Sequence, residues 1–312
     1  MQHPYKPYLV VITGPTAVGK TSVTAVLATA YDSPVISADS RQMYREMKIG
    51  TAVPSPGQMK KVKHYFVGHL SIHDYYNASM FEMQCIDLLE KLFKAKKLVF
   101  MTGGSGLYLD AVCSGIDDLP PVDPALRKEL AEKYRTNGIA WLRQQVKKLD
   151  PGYYGEADLK NPNRMLKALE ISLMTGKPYS SFLTGKKKER PFRTVRIGLN
   201  RERKELYGII NSRVDEMMQR GLLDEVRGLY PFRHLNALNT VGYKELFDYL
   251  DNRIDLEKAT ELIKRNSRRY AKRQLTWLAR DRDIRWFHPE DNSGILNFIE
   301  KQTGIKAKNL QR

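Results

Sequence analysis

Residues 14–21 have the pattern G-x-x-x-x-G-K-[ST] of a phosphate-binding loop. The pattern follows a short β-branched run, Leu9–Ile12, and precedes a stretch that predicts a helix to about Tyr31. In this context backbone N–H groups at a helix N-terminus can surround phosphate oxygens, Lys20 adds a positive charge, and the Thr21 hydroxyl can coordinate Mg²⁺. The predicted diphosphate-binding residues are Gly14, Pro15, Thr16, Ala17, Val18, Gly19, Lys20 and Thr21.

Two further polar residues follow predicted strands. Asp39 follows the strand at 35–38, and a carboxylate there can accept a proton from a nucleophile while a phosphate-bearing group leaves. A turn or helix-capping aspartate is the alternative. Ser105 follows the strand at 98–102 and could donate a hydrogen bond into the same cavity or cap a helix. No acidic residue ends this strand, which argues against a nucleotide hydrolase.

The elements that must position these residues alternate between strand and helix. Strands that end at glycines or polar residues, separated by helices, predict an α/β fold with a parallel sheet flanked by helices. The ligand site of such a sheet lies at the carboxyl ends of its strands. Prolines and then helical segments rich in lysine, arginine and tyrosine predict a helical insertion at 119–191. The core would comprise 1–118 and 192–312, with a strand at 194–199 and helices in the remainder.

The chain has 312 residues and a formal charge of +17, which favours a polyanionic partner. Its two cysteines are too few for a zinc site of the usual spacing or a disulfide framework. No apolar run approaches the roughly 20 residues of a membrane span, and the N-terminus has no secretory-signal pattern. We therefore expect a cytoplasmic protein, monomeric and without membrane association.

Successive motifs along nearly the whole chain resemble those of bacterial tRNA dimethylallyltransferases. They lie at 14–21, 39–44, 49–52, 103–108, 211–215 with 221–222, 241–245 and 272–278. The resemblance implies a P-loop NTPase-like core. It also implies transfer of a dimethylallyl group from its diphosphate to N6 of the adenosine 3′-adjacent to a tRNA anticodon. The phosphate loop would then hold dimethylallyl diphosphate, with Mg²⁺ as cofactor, and pyrophosphate would be released.

The resemblance also implies roles for single residues. Asp39 would be the general base, Ser105 would lie beside the reacting centre, and Arg213 would bind the leaving group. The family usually has threonine where this chain has Ser105, and the change retains the hydroxyl. Lys20 and Thr21 would bind the diphosphate and the metal. An arginine suits the leaving group because its planar guanidinium meets phosphate oxygens bidentately.

Two segments resemble family stretches that contact tRNA, and the helical insertion would grip the anticodon stem-loop together with the core. The target base must be extruded from the loop to reach a closed cavity, which demands contacts outside the active site. The two segments are residues 39–42 and 161–165. The residues expected to contact tRNA in them are Asp39, Ser40, Arg41, Gln42, Asn161, Asn163 and Arg164, and Ser105 and Lys167 are expected to contact tRNA as well.

A helix predicted around 263–277 has an apolar side and a cationic side. At about 100° per residue, Ile263, Tyr270 and Trp277 share one side, which favours core packing over base stacking. Six cations occupy the other half of the helix, which indicates either a solvated basic face or a nearby phosphate backbone. From this half we expect tRNA contacts by Arg268, Lys272 and Arg273.

Three other functions remain open at this point. An adenylate dimethylallyltransferase would use the same phosphate loop, but a mononucleotide requires neither the insertion nor the charge of +17. A small-molecule kinase also combines a phosphate loop with an aspartate on the second strand, although the motifs around Asp39 and Gly103 do not resemble one. A non-catalytic RNA-binding protein would not need Lys20, Asp39 and Arg213 together.

Overall fold

The computed structural model of the chain describes residues 6–121 and 123–308. Within these residues six strands form one parallel sheet in the order β3-β2-β4-β1-β5-β6. The strands are β1 (Tyr8–Thr13), β2 (Val35–Ser37), β3 (His64–Tyr65), β4 (Leu98–Gly103), β5 (Arg193–Leu199) and β6 (Arg285–Phe287). The predicted α/β fold with a parallel sheet is confirmed.

Twelve α-helices accompany the sheet in the described part of the chain. They are α1 (Lys20–Ala30), α2 (Pro56–Lys61), α3 (Ala78–Phe93), α4 (Gly106–Ser114), α5 (Pro124–Leu149), α6 (Pro151–Glu156), α7 (Pro162–Thr175), α8 (Arg203–Gln219), α9 (Leu222–Leu229), α10 (Tyr243–Leu250), α11 (Leu256–Leu278) and α12 (Asn292–Thr303). Within α5 the backbone departs from helical geometry at Gly138, whose φ is 72°.

The chain divides into two compact units. One is the sheet unit, formed by the residues up to Cys113 and those from Arg190 onward, and the other is the helical unit, Ser114–Glu189. In the helical unit, α5 and α7 pack around a small core that includes Leu142 and Met165. The helical unit begins and ends a few residues earlier than the insertion predicted at 119–191.

The centre of the sheet is buried on both faces, as expected for a parallel sheet covered by helices. Leu9 to Thr13 of β1 are buried, and β1 pairs with β4 on one side and β5 on the other. Side chains of α1, α8 and α12 cover one face, and side chains of α3 and α4 cover the other. A third cluster packs α8 to α11 together. This packing fixes the carboxyl ends of β1, β2 and β4 beside one another.

Two strands of the sheet were not predicted. The two-residue strand β3 and the three-residue strand β6 lie at the edges of the sheet, where β3 is partly exposed and β6 mostly exposed. Such short edge strands carry no apolar alternation that a sequence pattern could detect. The expectation of helices alone after residue 199 was therefore wrong at β6. Among the described helices, none has the length and apolar character required to cross a membrane.

Candidate active site

The phosphate loop leads from the end of β1 into α1, and three of its residues have positive φ. The values are 149° at Gly14, 65° at Ala17 and 106° at Gly19. A Cβ on Gly14 would lie 2.5 Å from the carbonyl oxygen of Leu199, so glycine is required there. Left-handed residues in a turn are typical of concave N–H arrangements that bind anions. The N-terminus of α1 adds its dipole, and Thr21 lies partly exposed in the first turn.

Lys20 folds back over the phosphate loop. Its Nζ donates hydrogen bonds to the carbonyl oxygens of Gly14 (3.0 Å) and Pro15 (2.7 Å). Burial lowers the pKa of Lys20 from 10.5 to about 8, an effect that the charge of Asp39 opposes and that of Arg213 reinforces. The sequence-predicted Lys20, Asp39 and Arg213 are thus electrostatically coupled. A bound diphosphate would favour the charged form of Lys20.

Gln274 on α11 braces the phosphate loop, a role that the sequence analysis did not identify. Its Oε1 accepts a hydrogen bond from the backbone N–H of Thr16 (2.8 Å), and its Nε2 donates to the carbonyl oxygen of Gly104 (2.9 Å). The side chain is buried, and a Cβ on Gly104 would lie 2.1 Å from Nε2. One amide therefore links the phosphate loop to the turn after β4, where Ser105 lies.

Asp39 both stabilises a turn and lines a cavity. Its Oδ1 accepts hydrogen bonds from the backbone N–H groups of Arg41 (2.9 Å) and Gln42 (3.3 Å), so the turn role considered from sequence is present. The same residue lines the cavity described below. Since one carboxylate oxygen orders the turn, the carboxylate is held at the end of β2.

Ser105 lies beside the turn that contains Asp39. Its Oγ accepts a hydrogen bond from the backbone N–H of Ser40 (3.1 Å) and donates to the Ser40 hydroxyl (3.2 Å). Tyr270 lies nearby: burial raises its pKa to about 12, Asp39 adds to the rise, and a hydrogen bond with Ser105 opposes it. Tyr270 therefore keeps its proton at neutral pH. The structure brings Asp39, Ser40 and Ser105 together, with the hydroxyl of Tyr270.

A cavity of about 120 Å³ joins Asp39 and Tyr270 to the phosphate loop, whereas Ser40 and Ser105 are not part of its lining. Thr16, Ala17, Asp39, Arg41 and Arg213 line it, so the loop, the carboxylate and two guanidinium groups face one space. Burial lowers the pKa of Arg213, and the charges of Asp39 and then Glu216 oppose that shift. An arginine remains charged in proteins, so Arg213 presents a partly buried cation beside the phosphate loop.

The same cavity has a large apolar wall. Its members come from α8, α9, α11 and the segment before α10, and they are Ile210, Val214, Met217, Leu222, Val241 and Ile263. An anion site bounded by branched aliphatic side chains suits a ligand with a phosphate end and an apolar end.

Glu225 and Tyr243 hold the turn at 48–50, which leads into the cavity. Glu225 accepts hydrogen bonds from the backbone N–H groups of Lys48 (2.9 Å), Ile49 (2.7 Å) and Gly50 (3.0 Å), and from the Tyr243 hydroxyl (2.6 Å). Burial, followed by the charge and hydrogen bond of Glu225, raises the pKa of Tyr243, which therefore remains a donor. The sequence motifs at 49–52 and 241–245 include Ile49, Gly50 and Tyr243 but give no indication of Glu225.

The side-chain amide of Gln42, a residue that the sequence predicts to contact tRNA, forms hydrogen bonds within the protein. Its Nε2 donates to the carbonyl oxygens of Thr51 (3.2 Å) and Ala52 (3.1 Å), and its Oε1 accepts from the Ser37 hydroxyl (3.1 Å). These bonds tie the segment after Gly50 to the end of β2. Ser40 and Arg41 are partly exposed beside it.

The cationic half of α11 is only partly solvated. Lys264 forms an ion pair with Asp215 of α8 (2.6 Å). Arg268 donates a hydrogen bond to the side-chain oxygen of Asn211 (2.6 Å), and its guanidinium lies 5.9 Å from the centroid of the Tyr207 ring. Arg268 therefore packs α11 against α8, which the helical periodicity did not show.

The remaining cations of this half are exposed, and the apolar side of α11 faces the protein. Lys272 and Arg273 are exposed, as are Arg265 and Arg269. On the apolar side, Ile263 is buried and Trp277 packs against Gly106 and donates to Asp110 (2.9 Å). Core packing at these two positions agrees with the expectation, although Ile263 also forms part of the cavity lining, as does Tyr270.

In the helical unit, the residues expected to contact tRNA lie in the N-terminal half of α7. Asn161 caps this helix, since its Oδ1 accepts a hydrogen bond from the N–H of Arg164 (3.3 Å). Asn163 and Arg164 are exposed. Lys167 is half-buried, and desolvation lowers its pKa despite the nearby Glu170. The contacts of all four with tRNA remain predictions.

One exposed cluster of potential metal ligands lies in the described part of the sheet unit. Oxygen and nitrogen atoms of Glu205, His288 and Glu290 approach within 4.8 Å of one another. Arg201 forms ion pairs with both glutamates, at 3.0 Å in the case of Glu290. The guanidinium already compensates these carboxylates, and none of the three residues lines the cavity that contains Asp39.

Comparisons with known proteins identify the family. The family model described as IPP transferase matches residues 42–281. A tRNA dimethylallyltransferase 1 from Bacteroides thetaiotaomicron is 53% identical over 296 residues, covering 95% of this chain and 96% of that protein. A tRNA dimethylallyltransferase 2 from Parabacteroides distasonis is 53% identical over 294 residues, covering 94% and 98%. A tRNA isopentenylpyrophosphate transferase structure from Bacillus halodurans has 36% identity and a TM-score of 0.71, covering 96% and 97%. The chain belongs to the IPP transferase family.

Proposed function

We propose that the chain transfers a dimethylallyl group from dimethylallyl diphosphate to N6 of the adenosine 3′-adjacent to the anticodon in tRNA, releasing pyrophosphate. The observation that carries the proposal is the cavity in which the phosphate loop, Asp39 and Arg213 meet an aliphatic wall. A phosphate loop alone is compatible with many phosphorylated ligands, whereas the aliphatic wall favours one with a hydrocarbon group. The curated relatives named above are tRNA dimethylallyltransferases.

The diphosphate would lie on the N–H groups of the phosphate loop, with its prenyl group against the aliphatic wall. Lys20 would exchange its bonds to the loop carbonyls for bonds to phosphate oxygens, since a full anion attracts the ammonium more strongly than a carbonyl does. Arg213 would bind the same phosphates bidentately. Both cations would stabilise the charge that develops on pyrophosphate as the C1–O bond breaks.

Mg²⁺ fits the donors present beside the loop. Mg²⁺ prefers hard oxygen ligands, keeps several waters, and is commonly held by one or two protein oxygens together with substrate phosphates. The Thr21 hydroxyl, in the partly exposed first turn of α1, offers one such oxygen next to the predicted phosphate position. When bound, the ion would neutralise part of the charge of the leaving pyrophosphate.

The transfer step forms a bond between N6 of adenine and C1 of the prenyl group while the bond from C1 to the diphosphate oxygen breaks. The amine loses one proton, which Asp39 would accept, and the electron pair of the broken bond leaves with pyrophosphate. Asp39 suits this role because its turn-bound Oδ1 keeps the carboxylate at the cavity. Ser105 and Tyr270 would hold hydroxyl groups beside the reacting amine and orient the base.

Contacts with tRNA would extend from the cavity to both units. Ser40 and Arg41, beside Asp39, would meet the extruded adenosine and its neighbours, while the exposed cations of α11 would contact phosphates. In the helical unit, Asn163 and Arg164 offer exposed polar groups for the anticodon stem-loop. The formal charge of +17 supports a polyanionic acceptor over a mononucleotide.

Incubation of the purified protein with labelled dimethylallyl diphosphate and Mg²⁺ tests the proposal. Unmodified bacterial tRNA is the acceptor in one reaction and AMP in the other. We expect label in tRNA alone, on an adenosine next to the anticodon. Label in AMP alone, or consumption of ATP without prenyl transfer, would contradict the proposal.

A further inference from the structure

The carboxylate of Glu225 accepts four hydrogen bonds at the edge of the cavity. Glu225 Oε2 accepts from the N–H groups of Lys48 and Ile49, and Oε1 accepts from the N–H of Gly50 and from the Tyr243 hydroxyl. Hydrogen bonds to a charged acceptor are stronger than neutral ones, and three consecutive N–H groups fix the backbone of a turn. Glu225 therefore immobilises residues 48–50 against α9 and α10.

The turn is fixed at its other end as well. The amide of Gln42 bonds the carbonyl oxygens of Thr51 and Ala52, and the Thr51 hydroxyl donates to the carbonyl oxygen of Met47, whose side chain is fully buried. Side-chain bonds thus flank Gly50 on both sides. Because the turn is held at both ends, its backbone cannot move away to enlarge the cavity that it borders.

Gly50 and Thr51 are part of the cavity lining, together with the aliphatic residues that surround the predicted prenyl site. Gly50 lies directly on the Tyr243 ring: a Cβ at this position would be 2.6 Å from ring carbon Cε2. The backbone of the turn therefore packs on the ring of Tyr243, and the carboxylate of Glu225 bonds both the turn and the Tyr243 hydroxyl. Glu225 thus determines where the turn that borders the cavity lies.

We propose that Glu225, acting through Tyr243 and the turn at 48–51, limits the length of the prenyl group that the cavity accepts. Glu225 is a positioning residue, since it touches the wall and not the substrate. The inference rests on the proposed function and adds selectivity for a five-carbon prenyl diphosphate over its ten-carbon homologue, geranyl diphosphate. A fixed wall excludes extra carbons, whereas a wall that can shift accommodates them.

Glu225→Gln is the informative substitution because it preserves size. Each oxygen of Glu225 accepts from at least one backbone N–H, so either orientation of the glutamine amide places its NH₂ against a backbone donor. Tyr243→Phe removes a single donor and preserves the ring against Gly50. Asp224→Asn is the matched control, because Asp224 is the neighbouring exposed acid and pairs only with Arg227 among the described ion pairs.

The experiment measures kcat/KM for dimethylallyl and geranyl diphosphate, with tRNA as acceptor, in the full-length protein and these three variants. We expect wild type to prefer the shorter substrate by about 100-fold or more, Glu225→Gln to reduce that ratio about 10-fold, and Tyr243→Phe to reduce it by less. Asp224→Asn should leave the ratio within about twofold, as a surface change.

The ratio separates selectivity from general damage to the fold. An equal decrease for both substrates in Glu225→Gln would show a merely structural role and overturn the inference, as would a wild type that uses both substrates equally. If Glu225→Gln does not fold, an unchanged ratio in Tyr243→Phe refutes the inference and a reduced one supports it. Absence of transfer to tRNA by the wild type is a distinct result, because it refutes the proposed function itself.

Discussion

Replacing Gln274 by leucine should separate the phosphate loop from the turn after β4. The substitution nearly preserves volume but removes both bonds of the buried amide, at 2.8 Å to the N–H of Thr16 and 2.9 Å to the carbonyl oxygen of Gly104. Thr16 borders the cavity, where water can reach its N–H, so losing the hydrogen bond from this N–H to Gln274 costs about 1 kcal/mol. The Gly104 carbonyl is buried with Gln274 and costs about 1 to 3 kcal/mol when left unpaired.

The free energy of unfolding should therefore fall by about 2 to 4 kcal/mol in Gln274→Leu. The KM for dimethylallyl diphosphate should rise about tenfold, which corresponds to ~1.4 kcal/mol, because the Thr16 N–H belongs to the predicted phosphate cradle. The KM for tRNA should change little. Chemical denaturation and steady-state kinetics with each substrate varied in turn measure these quantities.

Thr276→Ala is the control on the same helix, because Thr276 is exposed and, among the described residues, its hydroxyl bonds only the carbonyl oxygen of Lys272. It should alter stability by no more than about 0.5 kcal/mol. A wild-type KM for dimethylallyl diphosphate in Gln274→Leu would contradict this prediction, since the loop would then not depend on its bond to α11.

Two further predictions concern charged residues. Burial lowers the pKa of Lys20 to about 8, so the free enzyme loses this positive charge as the pH rises through that value. Since a bound diphosphate favours the protonated form of Lys20, the KM for dimethylallyl diphosphate should rise above about pH 8. A pH profile of KM that is flat up to the ordinary lysine pKa of 10.5 would contradict this. On α11, Arg269 is exposed, so Arg269→Ala should reduce the salt dependence of tRNA binding by about one charge. Arg268→Ala should chiefly destabilise the protein, by about 1 kcal/mol, because Arg268 donates a hydrogen bond to Asn211. Binding titrations at several salt concentrations, combined with denaturation, distinguish the two, and identical behaviour of both variants would refute the assignment.

The phosphate loop was predictable because its information is local. An apolar run, a glycine pattern and a following helix lie within one short segment, and each imposes a known backbone geometry. The same holds for Asp39 and Ser105, which directly follow buried strands whose carboxyl ends must meet at one edge of a parallel sheet. Their convergence could therefore be expected before the coordinates were known.

The hydrogen bonds by which Gln274 and Glu225 hold the site in place were not predictable in this way, because each joins residues far apart in sequence. Gln274 lies 258 residues from Thr16, and Glu225 lies 175 residues from Gly50. A buried glutamine or glutamate among helical residues has no pattern that names its partner. Likewise, the periodicity of α11 separated its cations from its apolar side but could not show that Asp215 of α8 neutralises Lys264.

In the proposed reaction, Asp39 is the group that would accept the adenine proton. Asp39→Asn is the sharpest variant, because its amide oxygen can still accept the backbone bonds that order the turn. Transfer of dimethylallyl to saturating tRNA should be measured in a single turnover, beside tRNA binding to the same variant. We predict a rate lower by about 10² to 10⁴, with tRNA affinity within a few-fold of wild type. A near wild-type rate would contradict the account.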